Sequence, residues 1–171
     1  MELKVSDLIV NQFARNLGTL RGMLLKAGQH AEARKFDENL FLQTRLAPDM
    51  YPFIKQVQMT CDTAKGAVAR LSGKTAPIFS DDEKSLKELI VRVEKTLEYV
   101  RSFSTGDFSA YTTQKITFPW KPGAHMIGAD YLLGFAIPNF YFHLTTTYAL
   151  LRVAGVNIGK SDFIGELPWK N

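Results

Sequence analysis

Apolar residues recur at spacings of three and four along much of the chain, which is the period of an α-helix with one buried side. The first such stretch runs from Val5 to about Ala27, and Gly28 is expected to end it, although residues 30–36 could add a turn or two. Residues 40–46 are expected to be extended, because a helix there would have to stop before Pro48. The pattern therefore predicts an amphipathic first helix followed by a connection.

Two further helices follow this connection. Asp49 is placed to cap the second helix, with Pro52 in its first turn, and Gly73 is expected to end it. Residues 80–83 have the Ser-x-x-Glu spacing of a capping box, which predicts that the third helix begins there. The basic residues of this third helix alternate with acids and are assigned to its solvated side; they are Lys84, Lys87, Arg92, Lys95 and Arg101.

The most apolar stretch, residues 136–153, predicts a buried last helix. Pro138 suits its first turn, and Gly155 suits the left-handed residue that follows its end. Residues 103–128 lose the helical period and predict a long excursion that could contain a small hairpin and is a candidate lid over the bundle's end. The apolar tail after Gly155 is expected to pack on the bundle or on a second subunit. We predict an all-α four-helix bundle with a long crossover before the last helix, forming one domain over residues 1–171.

Composition narrows the class of protein. The net charge of +4 comes from 21 basic and 17 acidic residues that are dispersed along the chain, so no nucleic-acid partner is expected. Cys61 is the single cysteine, which excludes an internal disulfide and agrees with a reducing compartment. The charged N-terminus lacks the apolar stretch of a signal peptide, and no run of residues suits a membrane span. We expect a cytoplasmic protein without a membrane segment.

Candidate chemistry is concentrated in the last helix, where Asn139 and His143 lie four residues apart and therefore on one face. Pointing into a bundle, such a pair is either a satisfied hydrogen-bond network or half of a ligand or metal site. Neighbouring aromatic residues could line a ligand cavity, although aromatic residues at helical spacing are also typical of plain packing. The expected ligand-binding set is Asn139, His143, Gln58, Tyr51, Tyr141 and Trp120.

A metal site is the alternative for the same region. A catalytic zinc needs three protein ligands, and the chain has only three histidines and one cysteine. The best set is His143 and His125 with Asp62, which requires a loop histidine to reach over the bundle. Cys61 lies within the second predicted helix, on the side that faces the core, where a cysteine behaves as a small apolar residue. The favoured expectation is no cofactor, and the alternative is a divalent zinc or nickel ion.

Two stretches carry a resemblance to a known family. One is Arg45-Leu-Ala-Pro-Asp-Met-Tyr-Pro52 with Gln56 and Gln58, and the other is Pro138-Asn-Phe-Tyr-Phe-His143. They resemble the signatures of an uncharacterised bacterial domain-of-unknown-function family grouped with the DinB/YfiT-like bundles. The resemblance covers nearly the whole chain and implies a four-helix bundle that is frequently a homodimer. Many members of that superfamily hold a divalent metal with three histidines, and characterised relatives include thiol-dependent transferases and a mycothiol-dependent isomerase.

The metal pattern implied by this resemblance is incomplete in the chain. In the superfamily one histidine lies on the second helix and two lie four apart on the fourth. Here the latter two positions correspond to Asn139 and His143, and the second helix has no histidine, so that Asp62 would have to substitute. The preferred hypothesis is a binding module or a metal-independent enzyme that holds a small molecule near Asn139 and His143 at the bundle's end. The alternatives are a metal-dependent enzyme of the thiol S-transferase or isomerase kind and a structural homodimer without a ligand.

Overall fold

The fold is a bundle of four long helices with a small β-hairpin, seen in a computed structural model that describes residues 3–167 and 169. Pro168, Lys170 and Asn171 of the predicted tail lie outside the described residues. The elements are α1 (Gln12–Ala33), α2 (Phe53–Leu71), α3 (Leu86–Arg101), β1 (Lys115–Thr117), β2 (His125–Ile127), α4 (Gly128–Tyr131), α5 (Ile137–Val153) and α6 (Lys160–Ile164).

The long helices pack in a closed arrangement around one hydrophobic core. α1 lies on α3, α3 on α2 and α2 on α5, and α1 also touches α5. At the centre, the rings of Phe13 and Phe140 stack with their centroids 4.1 Å apart. The expected all-α bundle is confirmed. Among the residues that the structure describes, no helix is long and apolar enough to cross a membrane.

The first helix is longer than its apolar pattern predicts. It passes through Gly28 and ends only at Ala33, after which Lys35 takes a left-handed φ of +58°. Gly28 serves close packing instead, because a Cβ there would stand 3.0 Å from a carboxylate oxygen of Glu38. The connection that we expected to be extended contains a 3₁₀-helix, Glu38–Gln43, which Asp37 caps by accepting from a backbone N–H.

The start of α2 differs from the prediction by three residues. Asp49 does not cap the helix; Pro52 is the N-cap residue, and the helix begins at Phe53. The N–H of Phe53 donates to the carbonyl of Thr44 at 2.9 Å, so a distant backbone group satisfies the helix start. Gly73 has a left-handed φ of +71° just beyond the helix, as a terminating glycine should.

The predicted start of α3 is wrong, because the Ser-x-x-Glu spacing occurs twice. The capping box is formed by Ser85 and Glu88, and α3 begins at Leu86. Glu83 is instead bound to Arg92 at 2.8 Å. Arg92 was assigned to the solvated side, and that assignment is also wrong, since only 2% of its side chain is exposed. It reaches Asp62 at 2.9 Å and the backbone of the segment before α3.

The last helical stretch is continuous from Gly128 to Val153. Between α4 and α5 the backbone adopts a π-helical register over Leu132–Ala136, and the N–H of Ile137 donates to the carbonyl of Leu132. This wider turn accommodates Pro138, which has no N–H to donate. Pro138 lies in the first turn of α5 and Gly155 has a φ of +85°, so the predicted end of the last helix is confirmed. The helical backbone begins earlier than predicted, at Gly128 and not at residue 136.

The excursion before the last helix contains the small hairpin, with Ile116 of β1 opposite Met126 of β2. Its side chains cover the end of the bundle at which α2 finishes: the ring of Phe118 packs on Tyr131, with the guanidinium of Arg70 nearby. The tail packs back on the bundle through α6, where Phe163 meets the ring of Tyr148 edge to face. The hairpin therefore covers the end of the bundle that is remote from the start of α2.

Candidate functional site

His143 is the centre of a polar seam between α5 and α2. Only 4% of the residue is exposed, and its Nδ1 lies 2.7 Å from Oε1 of Gln56. The amide of Gln56 is oriented by a second bond, in which its Nε2 donates to the backbone carbonyl of Tyr51 at 3.1 Å. Because Oε1 can only accept, the proton of the imidazole is on Nδ1. The seam therefore fixes the tautomer of His143.

The other ring nitrogen of His143 is an open acceptor. Burial lowers the pKa of the imidazole below its usual value, so the ring is neutral at neutral pH and Nε2 carries a lone pair. Nε2 has no hydrogen-bond partner within the described part of the chain. Among those residues the one buried, unpartnered side-chain nitrogen or oxygen is Nε of Arg92, so Nε2 of His143 is in contact with solvent.

Asn139 supplies a second acceptor one turn before His143. Its Nδ2 donates to Oγ1 of Thr63 at 2.7 Å, and that hydroxyl in turn donates to the carbonyl of Met59 at 2.7 Å. Oδ1 of Asn139 is left without a donor among the residues described. Side chains four apart on a helix are neighbours, so Oδ1 and Nε2 are acceptors on the same face of α5.

Only part of the expected ligand-binding set lies at this seam. Tyr51 is beside it, although its contact is through the backbone carbonyl and 56% of the residue is exposed. Gln58 is on a different face of α2 and donates to Glu83 at 2.8 Å. Tyr141 points toward α1, where its ring meets Phe13 edge to face. The expected convergence of Gln58 and Tyr141 on His143 is therefore not observed.

The remaining predicted residues also lie elsewhere. Trp120 packs on Phe118 in the excursion, and His125 is exposed on β2, near the end of α2 that carries Arg70. At 1.5 Å per residue, that end is about 20 Å along the helix axis from Gln56. Asp62 is bound to Arg92. Within the described ranges, no three histidine, cysteine or acidic side chains are grouped to hold a metal ion, so His143, His125 and Asp62 do not form the expected set.

Two residues of the seam were missing from the predicted site. Gln56 and Thr63 lie seven positions apart, which places them on one face of α2, and this face meets Asn139 and His143. The spacing of seven positions between Gln56 and Thr63 is visible in the sequence and would have predicted a shared face of α2. Choosing Gln58 in place of Gln56 rotated the predicted site by more than half a turn, because two residues correspond to about 200° around a helix.

Cys61 is not part of the seam. It is completely buried between α2 and α3, and burial raises the pKa of its thiol to about 12. The thiol is therefore protonated at neutral pH and is not a nucleophile in the folded chain. This agrees with its interpretation as a small apolar core residue.

The described surface cavities lie away from the seam. One is between the segment 78–84 and α3, two are at the N-terminal half of α1, and one is between α1 and α3. None of these four is lined by Asn139 or His143. The ligand pocket expected at that point stays a prediction, and what the geometry provides there is a pair of oriented acceptors.

Comparison with known proteins places this geometry in a family. The profile described as "Domain of unknown function (DUF1993)" matches residues 5–164. A crystal structure titled as a DinB family member protein from Shewanella denitrificans is similar, with a TM-score of 0.94 and 43% sequence identity over 98% of this chain and 95% of that chain. No curated protein matches the chain.

Proposed function

This chain belongs to the DUF1993 family and has the fold of a DinB-like bundle, and from that premise we propose that it binds a small molecule carrying hydrogen-bond donors at the seam between α2 and α5. The binding atoms are Nε2 of His143 and Oδ1 of Asn139. The proposal includes no resident metal.

The observation that carries the proposal is the bond of 2.7 Å between Nδ1 of His143 and Oε1 of Gln56. Such a bond fixes one tautomer and presents the opposite nitrogen as an acceptor, which is the arrangement found where an imidazole must receive a proton or a ligand. Oδ1 of Asn139 is a second acceptor one turn away. Two acceptors without donors favour a hydroxyl, amine or amidine over a carboxylate or phosphate.

An apolar group is expected on the same ligand. The ring of Phe142 lies 5.1 Å from the imidazole of His143, and 56% of Phe142 is exposed. An exposed aromatic ring beside a few oriented polar atoms is the usual composition of a small-molecule site. We therefore expect a ligand whose donor lies against the seam and whose apolar part covers Phe142.

A metal-independent enzyme is the second candidate at the same place. A neutral imidazole with a free Nε2 can accept the proton of a bound hydroxyl or thiol, which is the first step of general-base catalysis. A metal-dependent enzyme fits the seam less well, because its side chains are one imidazole, two amides and a hydroxyl, whereas zinc prefers several histidines, cysteines or carboxylates. Asp62, the expected carboxylate ligand, is bound to Arg92 on the other side of α2.

The test uses two probes that differ only in the donor, benzyl alcohol and benzyl methyl ether. Titrated into isotope-labelled protein and followed by NMR, benzyl alcohol is expected to shift the side-chain amide of Asn139 and the imidazole of His143. The ether should bind at least about fivefold more weakly, because it lacks a hydrogen bond that contributes about 1 kcal/mol to the free energy of binding.

His143→Phe supplies the decisive variant, because it keeps an aromatic ring and removes the acceptor. The affinity of this variant for benzyl alcohol is expected to fall to the affinity of the unaltered protein for benzyl methyl ether. The matched control is His125→Gln, which alters an exposed histidine remote from the seam and should leave both affinities unchanged. Equal binding of the two probes, or undiminished binding to His143→Phe, would refute the proposed donor site.

A further inference from the structure

A threonine hydroxyl on α2 orients the amide of Asn139. Thr63 is only 5% exposed, and its Oγ1 carries one proton, which it donates to the backbone carbonyl of Met59 at 2.7 Å. The oxygen then has only lone pairs to offer to a neighbouring helix. Nδ2 of Asn139 donates to it at 2.7 Å, so that Oδ1 is the end of the amide that is turned away from Thr63.

The opposite orientation of this amide has one hydrogen bond fewer. With Oδ1 turned toward Thr63, the hydroxyl would have to leave the carbonyl of Met59 in order to donate to the amide oxygen. One hydrogen bond of ordinary strength corresponds to about a fivefold preference in an equilibrium. Thr63 therefore keeps about five of every six molecules in the orientation that presents the acceptor of Asn139 to a ligand.

The chain of hydrogen bonds at His143 has the same polarity. There the imidazole donates to Gln56 at 2.7 Å, and Gln56 donates to the backbone carbonyl of Tyr51 at 3.1 Å. The chain at His143 and the chain at Asn139 both end on a backbone carbonyl, which can only accept. Because the donors of both chains are directed toward these carbonyls, the atoms that remain for a ligand are acceptors.

We infer that Thr63 is a specificity-determining positioning residue of the seam, because it makes Asn139 select a ligand group that donates over one that accepts. This inference rests on the function proposed above. A ligand that needs Nδ2 as a donor binds only to the minor orientation of the amide, and its affinity is reduced in proportion to that population. Without the hydroxyl of Thr63, the two orientations become equally populated and the selection at Asn139 is lost.

The experiment uses two probes that place different groups at Asn139, 2-phenylpropane-1,3-diol and its monomethyl ether. Each probe has one hydroxyl for Nε2 of His143 and a phenyl ring for Phe142. The second group donates in the diol and only accepts in the ether. Titrations of the isotope-labelled full chain, followed by NMR, are expected to show that the diol binds about fivefold more tightly, as the populations of the two amide orientations require.

Three variants isolate the hydroxyl. Thr63→Val keeps the branched side chain without the hydroxyl, and the affinities of the two probes should then agree within about twofold, because the amide of Asn139 can turn to donate to the ether. Thr63→Ser supplies a hydroxyl again and should restore a difference of about fivefold. The matched control is Thr60→Val, which should leave the difference unchanged. Thr60 is also buried on α2 and donates to the carbonyl of Gln56 at 2.8 Å, but no side chain of α5 donates to it within the described ranges.

The orientation of Asn139 is also measured without a ligand. The Nδ2 proton that is bound to Thr63 should exchange with water about fivefold more slowly in the unaltered protein and in Thr63→Ser than in Thr63→Val, because the bond to the hydroxyl must break first.

The outcomes separate this inference from the proposed function. If neither probe binds the unaltered protein, the proposed function fails and the inference fails with it. If both probes bind with equal affinity, or if Thr63→Val keeps the fivefold difference, the inference alone is overturned. Exchange of the Asn139 amide that is the same in the unaltered protein and in Thr63→Val would also overturn it. A difference that is lost in Thr63→Val, regained in Thr63→Ser and kept in Thr60→Val supports it.

Discussion

Replacing Arg92 by methionine is expected to lower the free energy of unfolding by about 3 kcal/mol, because it removes the guanidinium from a buried ion-pair cluster and leaves the carboxylate of Glu83 without a cation. The guanidinium is 2% exposed and Glu83 is 10% exposed, so the carboxylate of Glu83 would be left largely without water. Asp62 and Asp81 are about one third exposed and contribute less, since solvent screens them. Chemical denaturation of the two proteins measures the difference.

Two further variants distinguish the loss of the ion pairs of Arg92 from the loss of its apolar contacts. Methionine keeps most of the apolar volume of the arginine side chain, and Glu83→Gln added to Arg92→Met should restore part of the stability, because the buried charge has been removed. Lys87→Met is the matched control on an exposed position of α3, with an expected change within about 0.5 kcal/mol. A loss below 1 kcal/mol for Arg92→Met, or no recovery in the double variant, would contradict the role assigned to the cluster.

Phe140→Ala should cost about 3–5 kcal/mol of the free energy of unfolding, the usual range for deleting a buried phenylalanine ring. Phe140 is fully buried where α5 meets α1, and its ring stacks on Phe13 with centroids 4.1 Å apart. The substitution leaves a cavity at the centre of the bundle, because a stacked partner on another helix cannot collapse into the space. Denaturant unfolding measures the loss.

The neighbouring Phe142 gives a control on the same helix with the same residue type. It is 56% exposed, so Phe142→Ala is expected to change the free energy of unfolding by less than about 1 kcal/mol. Two phenylalanines two positions apart on α5 thus face opposite environments. Similar losses for the two variants would mean that α5 is rotated about its axis relative to the packing described here.

Much of the fold could be predicted because the four long helices carry clear local signals. Buried residues of α2 such as Val57, Cys61 and Val68 recur every three or four positions, and this periodicity depends only on which side of the helix meets the core. The places of Pro138 and Gly155 could also be predicted from local signals. Proline suits the first turn of a helix, and glycine suits the left-handed residue after its end. The homodimer and the cytoplasmic location stay predictions.

The errors arose where a contact between distant segments decides the structure. The chain contains two Ser-x-x-Glu spacings, and the one at Ser80 is not a cap because Arg92, on the following helix, binds Glu83. The sequence around Arg92 alternates in charge, which is typical of a solvent-exposed helix face. Only the folded chain brings three carboxylates to this arginine. At the candidate site, Asn139 and His143 were identified correctly as facing α2, whereas their partner was misassigned by two residues.

The bond to Gln56 holds the proton of a neutral His143 on Nδ1 and leaves Nε2 as an acceptor. The most direct measurement is ¹⁵N NMR of the imidazole, because each ring nitrogen reports its own protonation. We expect a protonated Nδ1 and an unprotonated Nε2 at neutral pH, with the ring becoming charged only below the ordinary histidine pKa of 6.5, since burial lowers the pKa of His143. A proton on Nε2, or a charged imidazole at neutral pH, would contradict this expectation.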